Sequence, residues 1–231
     1  MRNKKFCRTA SILIAVAMVF SVIVFMPEDA SAAARKPGKV KITKGTKLNQ
    51  MITLTWKKTK GAKKYQIYAK KGKGKWKKVA TVKANGKSKQ TYSIKRCKWN
   101  TKYQVKMRAV KGKKKGKWST IYKGKLAKKT TLQKEINRNA SARKDIGNAV
   151  EENEYFKITM SVSGNTIILN YLFKIPVTKA DTDEVFNSGE MRKEMKSVIT
   201  KTENNVGIFG IGVLVKALDP SGKQVASYTY K

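Results

Sequence analysis

The chain has 231 residues, with 53 Lys and Arg against 14 Asp and Glu, a formal net charge of +39, no histidine and two cysteines. The missing histidine removes the commonest general base, the usual His-ligated metals and every Ser-His or Cys-His nucleophile pair. Cys7 lies in the leading segment and Cys97 stands alone in the body, so no intramolecular disulfide framework exists. The charge is concentrated. Residues 35–129 hold thirty-five Lys and Arg and not one Asp or Glu, whereas residues 130–231 hold fourteen basic and twelve acidic residues. That step argues for two domains. A segment this basic would repel itself, so it binds polyanions or lives among them; a mere solubility effect should also have reached the tail.

In chain order, residues 1–32 read as a secretory signal peptide. Arg2, Lys4, Lys5 and Arg8 form a basic start, Ile12–Met26 an apolar run, Pro27 its break, and Ala30-Ser31-Ala32 a cleavage site after Ala32. As a helix the run would span about 22 Å, short of the roughly 30 Å hydrocarbon core. No transmembrane anchor is therefore expected after cleavage, the alternative being an uncleaved signal anchor. Cys7 precedes the run, where a lipoprotein cysteine would follow it, so no lipid anchor is expected. The mature protein is expected to be secreted, extracellular or associated with the cell envelope.

Short strand-like runs follow at regular spacing: Val40–Ile42, Met51–Trp56, Lys64–Lys70, Trp76–Lys83, Thr91–Ile94, Lys102–Val110 and Trp118–Tyr122. Lys102–Val110 alternates most cleanly, with Tyr103, Val105, Met107 and Ala109 inward and Lys102, Gln104, Lys106 and Arg108 outward. Gly72-Lys73-Gly74 and Asn85-Gly86 are turn signals between them. Pro37-Gly38-x-Val40, Leu54-x-Trp56, Gly61-Ala62-x-x-Tyr65-x-Ile67-Tyr68, Thr101-x-Tyr103-x-Val105-x-x-Arg108-Ala109 and Trp118-Ser119 resemble a fibronectin type III domain. The resemblance covers about residues 37–125. It implies an all-β, seven-stranded immunoglobulin-like sandwich over 35–127, with Trp56 in the core and Tyr103 as a tyrosine corner. The chain departs from that pattern at Cys97-Lys98-Trp99-Asn100, where a Leu-x-Pro-Gly run usually precedes the corner. Cys97 is expected to fill an apolar pocket, an intermolecular disulfide being the alternative.

In such a sandwich the B–C, C′–E and F–G loops meet at one end. They would bring together Lys57, Lys58, Lys60 and Lys63, then Lys83, Lys87 and Lys89, then Lys111, Lys113, Lys114, Lys115 and Lys117 as a polyanion-binding set. The other end would carry Lys71, Lys73, Lys75, Lys95, Arg96 and Lys98. Only Arg35, Arg96 and Arg108 of the thirty-five cations are arginine. Lysine acts as a flexible point charge where arginine clamps and reads. The expected mode is counterion release along an anionic polymer, with weak specificity and steep salt dependence. The expected partners are teichoic acid, an acidic polysaccharide, extracellular DNA or anionic lipid headgroups. Trp76, Trp99 and Trp118, each flanked by lysines, either stack on sugars or bases or cover the sandwich edges beneath lysine stems.

Residues 130–231 read as a small α+β domain in the order α-β-β-α-β-β with one antiparallel sheet. Thr130-x-x-Gln133 starts a helix, and a second helical turn is expected around Ile146 and Val150. Tyr155–Val162 and Thr166–Ile175 flank the hairpin signal Ser163-Gly164-Asn165. Asp181-x-x-Glu184 caps a helix that Gly189 divides. Val206–Leu218 and Lys223–Tyr230 flank Asp219-Pro220-Ser221-Gly222. The layout resembles an uncharacterised α+β family found on exported Gram-positive proteins. Three features carry bland readings. Gly207, Gly210 and Gly212 are taken as close-packing glycines on a strand rather than a dinucleotide loop. Asp181, Asp183 and Glu184 are taken as favourable charges at a helix N-terminus rather than a calcium loop. Asn139-Ala140-Ser141 has the form of a glycosylation sequon, which means little if the source is bacterial.

No catalytic residue, metal or cofactor is assigned. The expectation is an exported, non-enzymatic, adhesion-type binding protein held on envelope or matrix polyanions, with a protein partner open for the C-terminal domain. The alternative is an accessory or enzymatic protein with a site in the C-terminal domain. Asp145, Glu151, Glu152 and Glu154 are its nearest carboxylates, and they fall in what reads as a polar linker.

Overall fold

A computed structural model describes residues 35–231. The signal-peptide features and Cys7 lie outside the described residues. Among those described, no helix is long and apolar enough to cross a membrane.

The N-terminal part is a two-sheet sandwich. Strands β1 (Ile42–Leu48), β2 (Met51–Lys57) and β5 (Lys89–Ile94) form one sheet in the order β1-β2-β5. The other has β4 (Lys77–Lys83), β3 (Lys64–Lys71) and β6 (Lys102–Lys111) in that order, with β7 (Lys114–Lys115) and β8 (Tyr122–Lys125) both pairing with β6. Period-two alternation does the sorting. Ile52, Leu54 and Trp56 of β2, Tyr65 and Ile67 of β3, and Val105 and Met107 of β6 are at most 1% exposed. Each such burial is worth about 1.5–3 kcal/mol. The Trp56 and Tyr65 rings meet edge to face at 5.2 Å. The Tyr103 hydroxyl accepts from the Lys98 N–H at 2.9 Å, forming the tyrosine corner. Cys97 is buried and donates its thiol to the Ile94 carbonyl at 3.5 Å; burial pushes its pKa up.

Two expected strands are displaced, and the two-residue β7 brings the number to eight in place of seven. The first starts at Ile42 and runs to Leu48, because Asn49 adopts φ 49° and folds it straight back onto β2. Val40 is buried in the core but lies outside any strand. The last strand is not Trp118–Tyr122. Ser119 donates its N–H to the Met107 carbonyl (2.8 Å) and accepts the Met107 N–H on Oγ (3.0 Å), which breaks the ladder between β7 and β8.

The C-terminal part comprises α1 (Leu132–Arg138), α2 (Ala140–Gly147), β9 (Val150–Glu152), β10 (Phe156–Ser163), β11 (Thr166–Phe173), α3 (Lys179–Phe186), α4 (Gly189–Val206), β12 (Gly212–Leu218) and β13 (Gln224–Tyr230). Its sheet has five strands in the order β13-β12-β11-β10-β9, and β11 and β12 run parallel. The expected four-stranded antiparallel sheet is corrected on both counts. Helices α3 and α4 form a crossover that returns the chain to the start of β11, and β9 adds an edge strand where a helical turn was expected around Val150. Caps also shift. Thr131, not Thr130, caps α1; Thr178 with Asp181 makes the capping box of α3; Ser188 caps α4. Phe186 packs between Tyr171 and Tyr228, with centroids 5.0 Å away on each side. Burial pushes the Tyr171 pKa up to about 12.

Acid should separate the two parts. In the C-terminal part, hydrogen bonds hold several carboxyls below their ordinary pKa: Thr178 on Asp181, Lys179 and then Tyr228 on Asp183, Ser221 on Asp219, and Lys174 with Lys157 on Glu152. A lowered folded pKa contributes stability that is complete above the unfolded value, about 4 to 4.5, and is lost as pH falls through the folded one. Residues 35–129 have no carboxylate to protonate. All four tryptophans lie in the sandwich and every described helix in the C-terminal part. Below about pH 4 helical circular dichroism should fall before tryptophan emission shifts. Simultaneous loss of both signals would contradict this.

Candidate functional site

The loops between β2 and β3 (58–63), β4 and β5 (84–88), and β6 and β7 (112–113) meet at one end of the sandwich. Lys58 N–H donates to the Ser88 carbonyl at 2.9 Å, and Ala84 N–H to Lys63 and Lys63 N–H to Val110 at 3.0 Å each. Gly116 is held against the start of the domain, where a Cβ would lie 2.7 Å from the Pro37 carbonyl. The twelve lysines expected at this end are there: Lys111 is half-buried and the other eleven are exposed.

Strand register adds a feature that the sequence does not display. Lys57 faces Lys89 across β2 and β5, Lys64 faces Lys83 across β3 and β4, and Lys111 faces Lys114 across β6 and β7. Like charges directly opposite on a ladder are destabilising. All three pairs sit at the strand ends beside these loops, in a segment of the chain that contains no Asp or Glu.

The opposite end is occupied. Gln50 N–H donates to the Gly207 carbonyl (2.8 Å), Asn49 Nδ2 to the Val206 carbonyl (2.8 Å) and Phe209 N–H to Gln50 Oε1 (3.2 Å). Arg96 lies 3.8 Å from Glu203 and 5.4 Å above the Phe209 ring. Strand β2 puts the lysine loops roughly 23 Å from this seam, at 3.3 Å per residue.

A cavity of about 430 Å³ opens beside the seam, lined by Arg96, Lys196, Ile199, Glu203, Gly210 and Lys231 among others. Its one carboxylate, Glu203, accepts the Gly210 N–H at 2.6 Å. The four carboxylates read as a linker fall on elements or beside them. Asp145 is on α2, while Glu151 and Glu152 are on β9, where Glu152 pairs with Lys174 (2.8 Å) and Lys157 (3.1 Å). Gly207 and Gly210 are not strand glycines. Gly207, at φ 67°, ends α4 against the Leu48 carbonyl, and Gly210, at φ 84°, lies in the following turn; only Gly212 begins a strand.

The outer face of the larger sandwich sheet holds a cation–aromatic ladder. Lys106 Nζ is 4.4 Å from both the Trp76 and Trp118 ring centroids. Arg108 Cζ is 4.3 Å from Trp118, Lys70 Nζ is 5.4 Å from Trp76, and Tyr68 meets Trp118 edge-on at 5.1 Å. Arg108 Nε donates to Gln66 Oε1 at 2.9 Å. Trp76 and Trp118 therefore lie beneath cations, as one of the two readings anticipated. Alternation already pointed Lys106 and Arg108 outward; the tryptophans reach them through loop geometry that alternation does not encode.

Comparison with known proteins separates the same two parts. Residues 35–125 match the Fibronectin type III domain and residues 128–230 the Domain of unknown function (DUF4854). No curated protein matches. Among similar solved structures, FN3tt is 24% identical, covering 41% of this chain and 99% of that one with a TM-score of 0.32. The FN5 domain of Drosophila Lar is 22% identical, covering 40% and 99% with a TM-score of 0.34. A beta-1,2-glucanase from Parabacteroides distasonis is 16% identical, covering 41% and 13% with a TM-score of 0.35. The chain thus carries a region that matches the fibronectin type III family at residues 35–125, followed by one that matches the DUF4854 family at residues 128–230.

Proposed function

We propose that this is an exported, non-enzymatic binding protein of a Gram-positive cell, whose lysine-rich sandwich holds it on polyanions of the cell envelope or matrix. The observation that carries the reading is the gathering of twelve lysines at the end remote from the C-terminal domain, in a segment with thirty-five cations and no carboxylate. Three lysine pairs face each other there across the ladders, and like charges so placed gain from relief of their repulsion. An anionic polymer supplies it and releases its own counterions in doing so. Teichoic acid, acidic polysaccharide and extracellular DNA all offer that chemistry. The lysine-to-arginine ratio favours a surface that responds to charge density over one that reads sequence. The C-terminal domain, seated at the other end, is free to engage a separate partner.

The test titrates the full chain at low salt against teichoic acid, heparin, double-stranded DNA and neutral dextran. Binding to the three anionic polymers and not to dextran is expected. Failure to bind any of them, or equal binding to dextran, would overturn the proposal.

A further inference from the structure

The cation–aromatic ladder has a chemistry of its own. Cations on a folded surface ordinarily find carboxylate partners; Lys70, Lys106 and Arg108 have none within residues 35–129 and rest instead on indole and phenol rings. A ring quadrupole holds a cation in place but accepts no hydrogen bond along its N–H directions as a carboxylate does. The ladder cations are therefore ordered before any ligand arrives and keep donors to offer it, which lowers the ordering cost of binding. Arg108 is further fixed by Gln66 on Nε, leaving the rest of a planar five-donor fork.

The rings themselves are taken. Trp76 carries Lys70 and Lys106, and Trp118 carries Lys106 and Arg108 with Tyr68 at its edge. A ligand that needed to stack bases or sugar faces on these indoles would have to displace a cation. What the face presents is a row of charges along β6, two residues or about 7 Å apart.

We propose that the outer face of the β4-β3-β6 sheet is a second anion-binding surface, separate from the loop end, in which Lys106 and Arg108 bind sulfate or carboxylate groups of an extended acidic polysaccharide. The inference rests on the polyanion reading above and adds the surface and the ligand class. No ring stacking is involved. The indoles act as spacers, so tryptophan emission reports the binding event.

The full chain is titrated with heparin at low salt, following tryptophan emission and affinity, and with double-stranded DNA at equal charge concentration. Lys106→Gln with Arg108→Gln is compared with the charge-matched pair Lys44→Gln with Lys47→Gln on β1. The ladder pair is expected to weaken heparin binding about tenfold more than the β1 pair, and its effect on heparin should exceed its effect on DNA. Heparin should shift the emission of the parent chain, and Lys106→Arg should retain most of the affinity. The proposal is overturned if the two pairs weaken heparin equally, if saturating heparin leaves the emission unchanged, or if the ladder pair weakens DNA as much as heparin. An affinity that a neutral ladder lowers no more than the β1 pair does sinks this inference alone; no binding to any polymer sinks the polyanion reading beneath it.

Discussion

Replacing Gly207 with valine is expected to open the seam between the sandwich and the C-terminal domain and to cost about 3 kcal/mol or more. Two effects add. Gly207 sits at φ 67° as the left-handed cap of α4, a conformation that costs other residues roughly 1–2 kcal/mol and a β-branched one more. A side chain there also enters the space of the Leu48 carbonyl, and overpacking a fitted contact costs about 1–3 kcal/mol. The Gln50–Gly207 and Asn49–Val206 hydrogen bonds lie within two residues of the change. Thermal melts followed by tryptophan emission and by helical circular dichroism should move apart in the variant. Gly210→Ala is the control. Gly210 has φ 84° but nothing within 4 Å of an added Cβ, so only backbone strain of about 1 kcal/mol is expected, with the two probes still close together. A Gly207→Val chain that melts like the parent would show that the seam does not hold the parts together.

The second large effect sets stability against binding. Lys83→Glu with Lys89→Glu turns two facing lysine pairs, Lys64–Lys83 and Lys57–Lys89, into opposite-charge pairs. Cross-strand ion pairs stabilise a ladder where like charges weaken it, so the melting temperature of the sandwich should rise. Polymer binding should fall at the same time, by on the order of tenfold or more at low salt. The slope of log K against log salt should become shallower by roughly 2, at about 0.7–0.9 per lost contact. Opposite signs in the two measurements are the mark of a surface whose charge is retained for a ligand. If binding is unchanged while stability rises, the loop end is not the binding surface.

Much of this architecture was legible because the sandwich strands bury one face. Along β6 every second residue is apolar, and Tyr103, Val105, Met107 and Ala109 all point inward. Strand β1 was harder to read. Its sequence Ile-Thr-Lys-Gly-Thr-Lys-Leu has no apolar alternation and is placed by pairing with β2 and by the turn at Asn49. The parallel pairing of β11 with β12 had no local signature, since direction depends on where a helical crossover delivers the chain. The lysine end followed from topology alone. The three facing lysine pairs needed register, which is set by turns and bulges such as the shift between Ile67 and Tyr68. The ladder needed the Ser119–Met107 contacts that interrupt the last strand beside Trp118.

The β6 ladder and the lysine loops share one physical premise: cations gathered in a segment that has no carboxylate are available to an external anion. The most direct test measures the affinity of the full chain for heparin or teichoic acid across a salt series. A straight plot of log K against log salt with a steep negative slope is expected, losing about 10³-fold or more between 50 and 200 mM if six or more contacts form. No binding at the lowest salt, or an affinity indifferent to salt, would contradict the account.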